Sequence, residues 1–418
     1  FGIKELWGID FFWIAAIGLV VLTALYTIFG GMKSVLYTSV LQTPILLLGS
    51  LIILVLGFKE LGGWDEMMRV CGAVTVNDYG DTMTNLIRSN DDANFPWLGA
   101  LIGSAIIGFW YWCTDQFIVQ RVLSGKNEME ARRGTIFGAY LKLLPVFLFL
   151  IPGMIAFALH QKYIGAGGEG FLPMLANGTA NADAAFPTLV AKLLPAGVKG
   201  LVVCGILAAL MSSLASLFNS SAMLFTIDFY KRFKPETPEK KLVGIGQIAT
   251  IVIVVLGILW IPIMRSVGDV LYTYLQDVQS VLAPGIAAAF LLGICWKRTS
   301  AQGGMWGLIS GMVIGLTRLG AKVYYSNAGE VADSTFKYLF YDMNWLFFCG
   351  WMFLFCIIVV IVVSLATKAP TAEKIQGLVF GTATKEQKAA TRASWNHWDI
   401  IHTVIILAIT AAFYWYFW

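Results

Sequence analysis

Apolar residues form long blocks along the whole chain, separated by short charged or Pro/Gly-containing stretches. A helix needs about 20 predominantly apolar residues to cross the hydrocarbon core of a bilayer. We predict ten such spans, at 9–29, 36–57, 97–119, 134–159, 198–227, 242–263, 267–296, 303–320, 344–367 and 399–417. The pattern predicts an all-α polytopic membrane protein.

Composition supports this prediction and excludes a soluble enzyme-like domain. Of the 418 residues, 58% are apolar and 13% are charged, and the mean hydropathy is +0.74. A soluble domain carries about twice that share of charge. Lipid is the remaining solvent for so much apolar surface. We find no nucleophile–base arrangement, phosphate loop or metal-ligand spacing, and we predict no enzymatic activity.

The basic residues alternate from one loop to the next. Seventeen of the 29 Lys and Arg residues fall in alternate, mostly short loops. Such residues favour the cytoplasmic side. We therefore predict a multi-pass protein of the plasma membrane with both ends of this chain outside. The net charge of +4 reflects this topology and predicts no nucleic-acid partner.

Lys142 lies about eight residues into the fourth predicted span, in Tyr140-Leu141-Lys142-Leu143-Leu144-Pro145. A charge at that depth is costly unless it faces a wet cavity or a partner. One interpretation is a lysine that extends to the membrane surface. The alternative is an ammonium that faces an internal cavity and binds a polar ligand.

Three consecutive aromatic residues, Trp110, Tyr111 and Trp112, end the third predicted span. Aromatic residues in membrane helices usually lie at the interface or pack against neighbours. Three in a row cannot share one helical face, so at least one points inward, where Tyr111 could cover a sugar ring. The nearby Asp115 either pairs with Arg121 or reaches water.

Small and hydroxyl residues cluster in the fifth predicted span, at Ala209, Ser212, Ser213 and Ser216. This spacing is typical of close helix packing. Hydroxyl oxygens are also ligands for a dehydrated Na⁺, because hard cations select oxygen. The residues alone favour packing.

The seventh predicted span carries Tyr272, Gln276 and Asp277 before Pro284-Gly285. A Pro-Gly pair interrupts a helix and is tolerated where the freed carbonyls line a cavity. Gln276 can donate to and accept from hydroxyl groups, or it can cap the kink.

Together these blocks resemble the solute:sodium symporter family, in particular its sodium/glucose and galactose branch. The resemblance covers nearly the whole chain. It is carried by the segments 26–34, 110–116, 120–127, 140–145, 211–216, 225–230 and 290–297.

The family has an inverted-repeat, LeuT-like fold of five plus five core helices with extra helices at both ends. The resemblance implies one transmembrane transporter domain over 1–418, and about four N-terminal helices that precede this chain. Residues 1–57 correspond to the last two helices of the first repeat. Residues 97–296 correspond to the second repeat, and 303–418 to the C-terminal extra helices.

The resemblance also assigns roles to the candidate site residues. Tyr111 matches the inner gate and Trp112 the residue beside it, whereas Tyr272 matches an aromatic of the outer gate. Lys142 and Gln276 match residues that hydrogen-bond sugar hydroxyls. The sodium site is matched by Ala209, Ser212 and Ser213.

Two positions depart from the family pattern. Gly108 stands where the bacterial galactose carrier has a sugar-binding asparagine, and Ser39 stands where an aspartate is common. Because the first broken helix of the family is missing from this sequence, we expect the chain to hold about half of each site. We therefore expect that it does not carry out coupled transport alone.

The resemblance implies Na⁺-coupled symport of a glucose- or galactose-like hexose by alternating access, with Na⁺, the sugar and the bilayer as partners. One alternative is a sodium symporter for inositol, sialic acid or an organic acid. Another is a solute sensor or a gated channel. Stoichiometry and oligomeric state do not follow from the sequence.

Overall fold

The computed structural model describes residues 5–6, 8–175, 178–265, 271–327 and 332–418. Within these ranges the regular secondary structure is helical, apart from a short antiparallel hairpin of β1 (Glu5–Leu6) and β2 (Ile9–Asp10). The helices are α1 (Phe11–Leu61), α2 (Trp64–Gly72), α3 (Trp97–Cys113), α4 (Gln116–Leu123), α5 (Glu128–Pro145), α6 (Ile151–Gly165), α7 (Ala185–Leu193), α8 (Ala196–Met223), α9 (Lys231–Phe233), α10 (Glu239–Arg265), α11 (Leu271–Cys295), α12 (Ala301–Asn327), α13 (Thr335–Lys337), α14 (Trp345–Ala366), α15 (Ala372–Ile375), α16 (Lys385–Ala393) and α17 (His397–Tyr416).

Every predicted span corresponds to a helix, and nine are apolar enough to cross a membrane. In the described residues, eight single helices are long and apolar enough to cross a membrane, and the bent pair of α3 and α4 makes a ninth. Helix α12, predicted over 303–320, is long enough at 27 residues but is less apolar. It contains six glycines and Arg318. The expected all-α membrane fold is confirmed. The composition of α12, the tenth predicted span, reflects helix packing more than contact with lipid.

The first two predicted spans form one continuous helix, α1, of 51 residues. The Tyr26 hydroxyl donates to the Met211 carbonyl oxygen at 2.7 Å, while Ser39 Oγ lies 2.5 Å from Ser212 Oγ. A straight helix would separate Tyr26 from Ser39 by about 20 Å. Since both contact adjacent residues of α8, α1 bends between them, in the interval that holds Gly30-Gly31. Paired small residues are a common cause of such kinks.

Helices α3 and α4 are separated by a 47° bend at Thr114–Asp115. The Trp110 carbonyl oxygen accepts from Thr114 N–H, Thr114 Oγ1 and Asp115 N–H, which ends α3. The Asp115 carboxylate accepts from Phe117 N–H at 3.1 Å and so caps α4. This helix cap differs from both predicted roles for Asp115, which were a pair with Arg121 and contact with water.

Pro145 ends α5 and is followed by a π-helical turn at Val146–Leu150. Proline has no N–H, so it removes one helical hydrogen bond and disturbs the turn around it. Helix α6 then continues the span. Lys142 is one turn before this irregular backbone.

The loops 58–96 and 160–197, where the sequence shows no periodic pattern, contain the short helices α2 and α7. Cys71 of α2 is buried, and its thiol donates to the Met154 carbonyl oxygen of α6 at 3.7 Å. The nine-residue lengths of α2 and α7 are too short for an 11-residue periodicity window, which is why they escaped the sequence analysis.

The chain forms two compact units. One comprises Phe1–Ala73 and Lys142–Gly268, and the other comprises Val74–Leu141 and Asp269–Trp418. In the first, Ala24, Phe218 and Val254 form a core between α1, α8 and α10. In the second, α3, α11 and α14 share an apolar cluster around Ile106, Ala283 and Leu346. The single-domain assignment of 1–418 and its repeat boundaries stay a prediction.

Candidate functional site

The predicted site residues divide between the two units. Lys142, Ala209, Ser212 and Ser213 belong to the first unit, and Tyr111, Trp112, Tyr272 and Gln276 belong to the second. Within the first unit, three of the four residues lie on α8. Within the second, the residues form two adjacent pairs, one at the end of α3 and one in the first half of α11.

The α8 serines lie against α1. Ser212 is 6% exposed, whereas Ala209 is partly buried and Ser213 is exposed. The Ser212 and Ser39 hydroxyls form a hydrogen bond at 2.5 Å. Ser216 Oγ donates to the Ser212 carbonyl oxygen at 3.0 Å. This places several neutral oxygens within one turn of an apolar span.

These oxygens are suited to a hard monovalent cation. Among the described residues, no group of three or more His, Cys, Asp or Glu side chains could hold a metal ion. Neutral hydroxyls and carbonyls are ligands that hard cations accept. One of the Ser39 and Ser212 hydroxyls donates to the other, so a cation that binds both oxygens competes with that hydrogen bond for the acceptor oxygen.

The aromatic run at the end of α3 is arranged edge to face. Tyr111 and Trp112 have ring centroids 5.1 Å apart at 90°, and Trp110 lies 6.3 Å from Tyr111. Tyr111 is partly buried, whereas Trp112 is 48% exposed. Because α3 ends at Cys113, just before the Asp115 cap, these aromatic rings lie in the last turn of α3.

Gly108 lies one turn before Tyr111 and faces open space. A Cβ built on Gly108 meets no heavy atom within 4 Å. The first atom of a side chain at this position therefore meets no clash.

Tyr272 and Gln276 are one turn apart in the first half of α11. Tyr272 is 58% exposed, and Gln276 is partly buried. Both precede Pro284, which lies within the continuous α11 helix. Lys142, in the other unit, has an exposed side chain.

A buried charge cluster next to Gln276 was missed as a group by the sequence analysis. Asp277, 7% exposed, lies 2.5 Å from Lys322 Nζ and 3.7 Å from Arg318 Nη2. Arg318 is fully buried, donates to the Met343 carbonyl oxygen at 2.7 Å and lies 4.1 Å above the Phe348 ring. The available signal was Arg318 itself, a charge inside the predicted span 303–320.

A family profile gives the assignment. The profile described as "Sodium:solute symporter family" matches residues 3–311, about three quarters of the chain. This chain belongs to the sodium:solute symporter family. The predicted family is confirmed, and with it Na⁺ as the ion to which members of this family couple transport. The family consists of transporters rather than enzymes.

Three curated relatives have sequences similar to this symporter-family chain. It is 34% identical to the sodium/mannose cotransporter SLC5A10 of Bos taurus, over 97% of this chain and 72% of the relative. It is 38% identical to the sodium/glucose cotransporter 1 of Ovis aries, over 86% and 57%. It is 35% identical to the sodium/myo-inositol cotransporter 2 of Homo sapiens, over 88% and 56%. The chain thus spans little more than half the length of the latter two.

A solved structure shares the fold of this symporter-family chain. The sodium-coupled sialic acid symporter, described in its substrate-bound outward-open state, aligns with a TM-score of 0.65 at 21% identity. The alignment covers 88% of this chain and 70% of that structure. The expected LeuT-like helical fold is confirmed by this likeness, which concerns the fold alone.

Proposed function

We propose that the whole protein is a Na⁺-coupled symporter that takes up a hexose or a related polyol by alternating access. The observation that carries the proposal is the Ser39–Ser212 hydroxyl pair beside Ala209 in the α1–α8 contact. Family membership and the three relatives named for sodium with mannose, glucose and myo-inositol support it.

In the proposed cycle, Na⁺ binds at the Ala209 carbonyl and the Ser212 and Ser213 hydroxyls. By the family resemblance, the residues proposed to contact the sugar are Tyr111, Trp112, Lys142 and Gln276. Each of these is a donor, an acceptor or an aromatic face, which suits a neutral polyhydroxylated ligand. Tyr272 closes the outer side.

Coupling between the two ligands follows from linkage. If Na⁺ favours the same outward-open state that binds sugar, each ligand raises the affinity for the other by the same factor. Such couplings typically amount to about 1–3 kcal/mol. Movement of the two repeats against each other then exposes both ligands to the other side. We propose that the protein lies in the plasma membrane, with both ends of this chain outside.

The test is uptake of labelled glucose, mannose and myo-inositol by the whole protein in proteoliposomes, with and without an inward Na⁺ gradient. Gradient-dependent accumulation that is lost in Lys142→Ala and Ser213→Ala is the expected result. Lys388→Ala on the exposed α16 and Ser326→Ala at the exposed end of α12 are matched controls and should transport normally.

The outcomes separate the alternatives. Accumulation of myo-inositol alone would narrow the substrate to a polyol, a possibility that the 35% identical human relative favours. Na⁺-driven uptake of only a sialic or other organic acid would reject the sugar. Solute flux that never exceeds equilibrium would indicate a channel or sensor rather than a symporter.

A further inference from the structure

Helices α5 and α17 begin at the same end of the second unit and run parallel. Arg132 Nη2 donates to Ser394 Oγ just before α17, at 3.1 Å. About two turns further on, Tyr140 Oη lies 3.1 Å from His402 Nδ1. Both pairs are separated by 262 residues in sequence, so the two segments advance together without a shift in register.

A groove of about 350 Å³ lies between these helices. Its α5 wall consists of Arg133, Ile136, Phe137 and Tyr140, whose spacing places them on one helical face. Its α17 wall consists of Asn396, Trp398, Asp399 and His402. Tyr140 and His402, which contact each other, are both part of this lining.

The groove is apolar along its walls and polar at its mouth. Phe137 is 63% exposed and Trp398 is 56% exposed, as expected for side chains that contact lipid. Arg133 precedes the predicted span 134–159 by one residue, and Trp398 precedes 399–417 by one residue. The mouth therefore lies at the boundary between hydrocarbon and headgroups, where tryptophan and tyrosine are enriched.

Of the two charged side chains that line the groove, Arg133 and Asp399, Arg133 is the one that can bind an anion. The Asp399 carboxylate accepts from Asn396 N–H at 2.9 Å, while Asn396 Oδ1 accepts from Trp398 N–H at 2.9 Å. These contacts form a capping box that directs both side chains to the start of α17. Asp399 thus faces the helix N-terminus, and the Arg133 guanidinium is exposed.

We propose that this groove is a binding site for one anionic phospholipid in the leaflet that faces Arg133. The Arg133 guanidinium binds the phosphate, with the Trp398 ring beside the headgroup and an acyl chain along Ile136 and Phe137. A guanidinium is suited to this because its planar donors match two phosphate oxygens at once. Basic residues between membrane helices at the cytoplasmic face are a recurrent arrangement for acidic headgroups.

The site is at the face that the basic residues predict to be cytoplasmic, the leaflet in which acidic lipids are concentrated. Arg392, which stacks 4.1 Å from Trp395, and Arg132 add positive charge near the mouth. The net headgroup charge therefore matters, and zwitterionic lipid with the same chains should bind more weakly. The site is separate from the proposed sugar and sodium residues.

The test is thermal unfolding of the purified whole protein in detergent, titrated with short-chain phosphatidylglycerol or with phosphatidylcholine of the same chain length. We expect phosphatidylglycerol to raise Tm at concentrations where phosphatidylcholine and inorganic phosphate do not. Arg133→Gln should need about tenfold more phosphatidylglycerol for the half-maximal shift, since it loses one charge-assisted contact. Arg133→Lys should lie between the two.

Lys388→Gln is the matched control, because it removes one positive charge from α16 on the same side but outside the groove. It should respond as wild type does. An equal loss in Arg133→Gln and Lys388→Gln would overturn the site in favour of a general surface field. A Tm rise with inorganic phosphate alone would overturn the lipid as occupant. Phe137→Ala supplies a second variant, which should weaken the phosphatidylglycerol response without a change in charge.

Discussion

The contact between Ser39 and Ser212 joins two neutral hydroxyls, one on α1 and one on α8. One hydroxyl donates and the other accepts, so the donated hydrogen competes with a cation for the acceptor oxygen. A negative ligand at this point would change that balance. A substitution at Ser39 therefore tests the proposed sodium site directly.

We expect Ser39→Asp to raise the apparent Na⁺ affinity of uptake, because an ionised carboxylate attracts Na⁺ more strongly than a hydroxyl does. The half-saturating Na⁺ concentration should fall by about tenfold, the equivalent of roughly 1.4 kcal/mol. Ser39→Ala should not lower it in this way. Sugar-uptake rates measured across a Na⁺ series check this, and an unchanged Na⁺ dependence in Ser39→Asp would place the ion elsewhere.

Gly108 gives a second residue-scale prediction. Because open space surrounds it, Gly108→Asn should fold normally and add an amide that can hydrogen-bond a hydroxyl. We expect a lower KM for one of the accepted sugars, by about fivefold, which is within the range of a single hydrogen bond. Gly138→Asn, at another open helical glycine, is the control for amide addition alone.

At the scale of elements, α1 and α8 are in contact through glycine. A Cβ built on Gly49 would lie 2.5 Å from Val202 Cγ2, and one on Gly205 would lie 3.0 Å from Ile45 Cγ2. Such spacing brings two helices close together and increases their dispersion contacts.

Gly49→Ala is therefore expected to destabilise the protein by about 1–3 kcal/mol, the usual cost of overpacking. Gly197→Ala on α8 has no heavy atom within 4 Å of the new Cβ, so it should be neutral or slightly stabilising. Thermal unfolding of both variants in one detergent tests the pair. Equal Tm values would mean that α1 and α8 do not pack as closely as described.

The ion cluster between α11 and α12 predicts a larger effect. Asp277→Asn would leave Arg318 buried beside Lys322 without a carboxylate. Removal of one partner from a buried pair typically costs about 3–5 kcal/mol. Asp333→Asn, in the exposed Asp333–Lys337 pair, is the control and should leave Tm unchanged. If both variants have the wild-type Tm, the cluster contributes nothing to the stability of the fold.

For the whole molecule, the alternation of basic residues predicts which side each loop faces. In a background without reactive cysteines, Asp78→Cys should react with an impermeant maleimide on intact cells. Lys388→Cys should react only after the membrane is permeabilised. Both positions are exposed, so accessibility to solvent does not limit the comparison. The reverse pattern would invert the proposed topology.

The sequence predicted the membrane fold well because lipid imposes a simple rule on each span, a long apolar helix with internal hydrogen bonds. It did not predict features that depend on a partner distant along the chain. The join of the first two spans in α1 and the Asp277–Arg318 pair are of this kind, whereas the Asp115 cap is a local contact with Phe117 that the sequence analysis missed. Tyr111, Gln276 and the α8 serines are assigned to the site by the family pattern, since their spacing alone left packing and binding open.

The contact between α11 and α12 has a mechanical consequence. A Cβ built on Gly311 would lie 2.9 Å from Gly285 Cα, and one on Gly315 would lie 2.7 Å from the Val281 oxygen. Because the two backbones are in contact and Asp277 binds α12, few side chains separate the two helices. We therefore expect α11 and α12 to move as one rigid unit. A displacement of Tyr272 should either bend α11 at Pro284 or move α12 together with it.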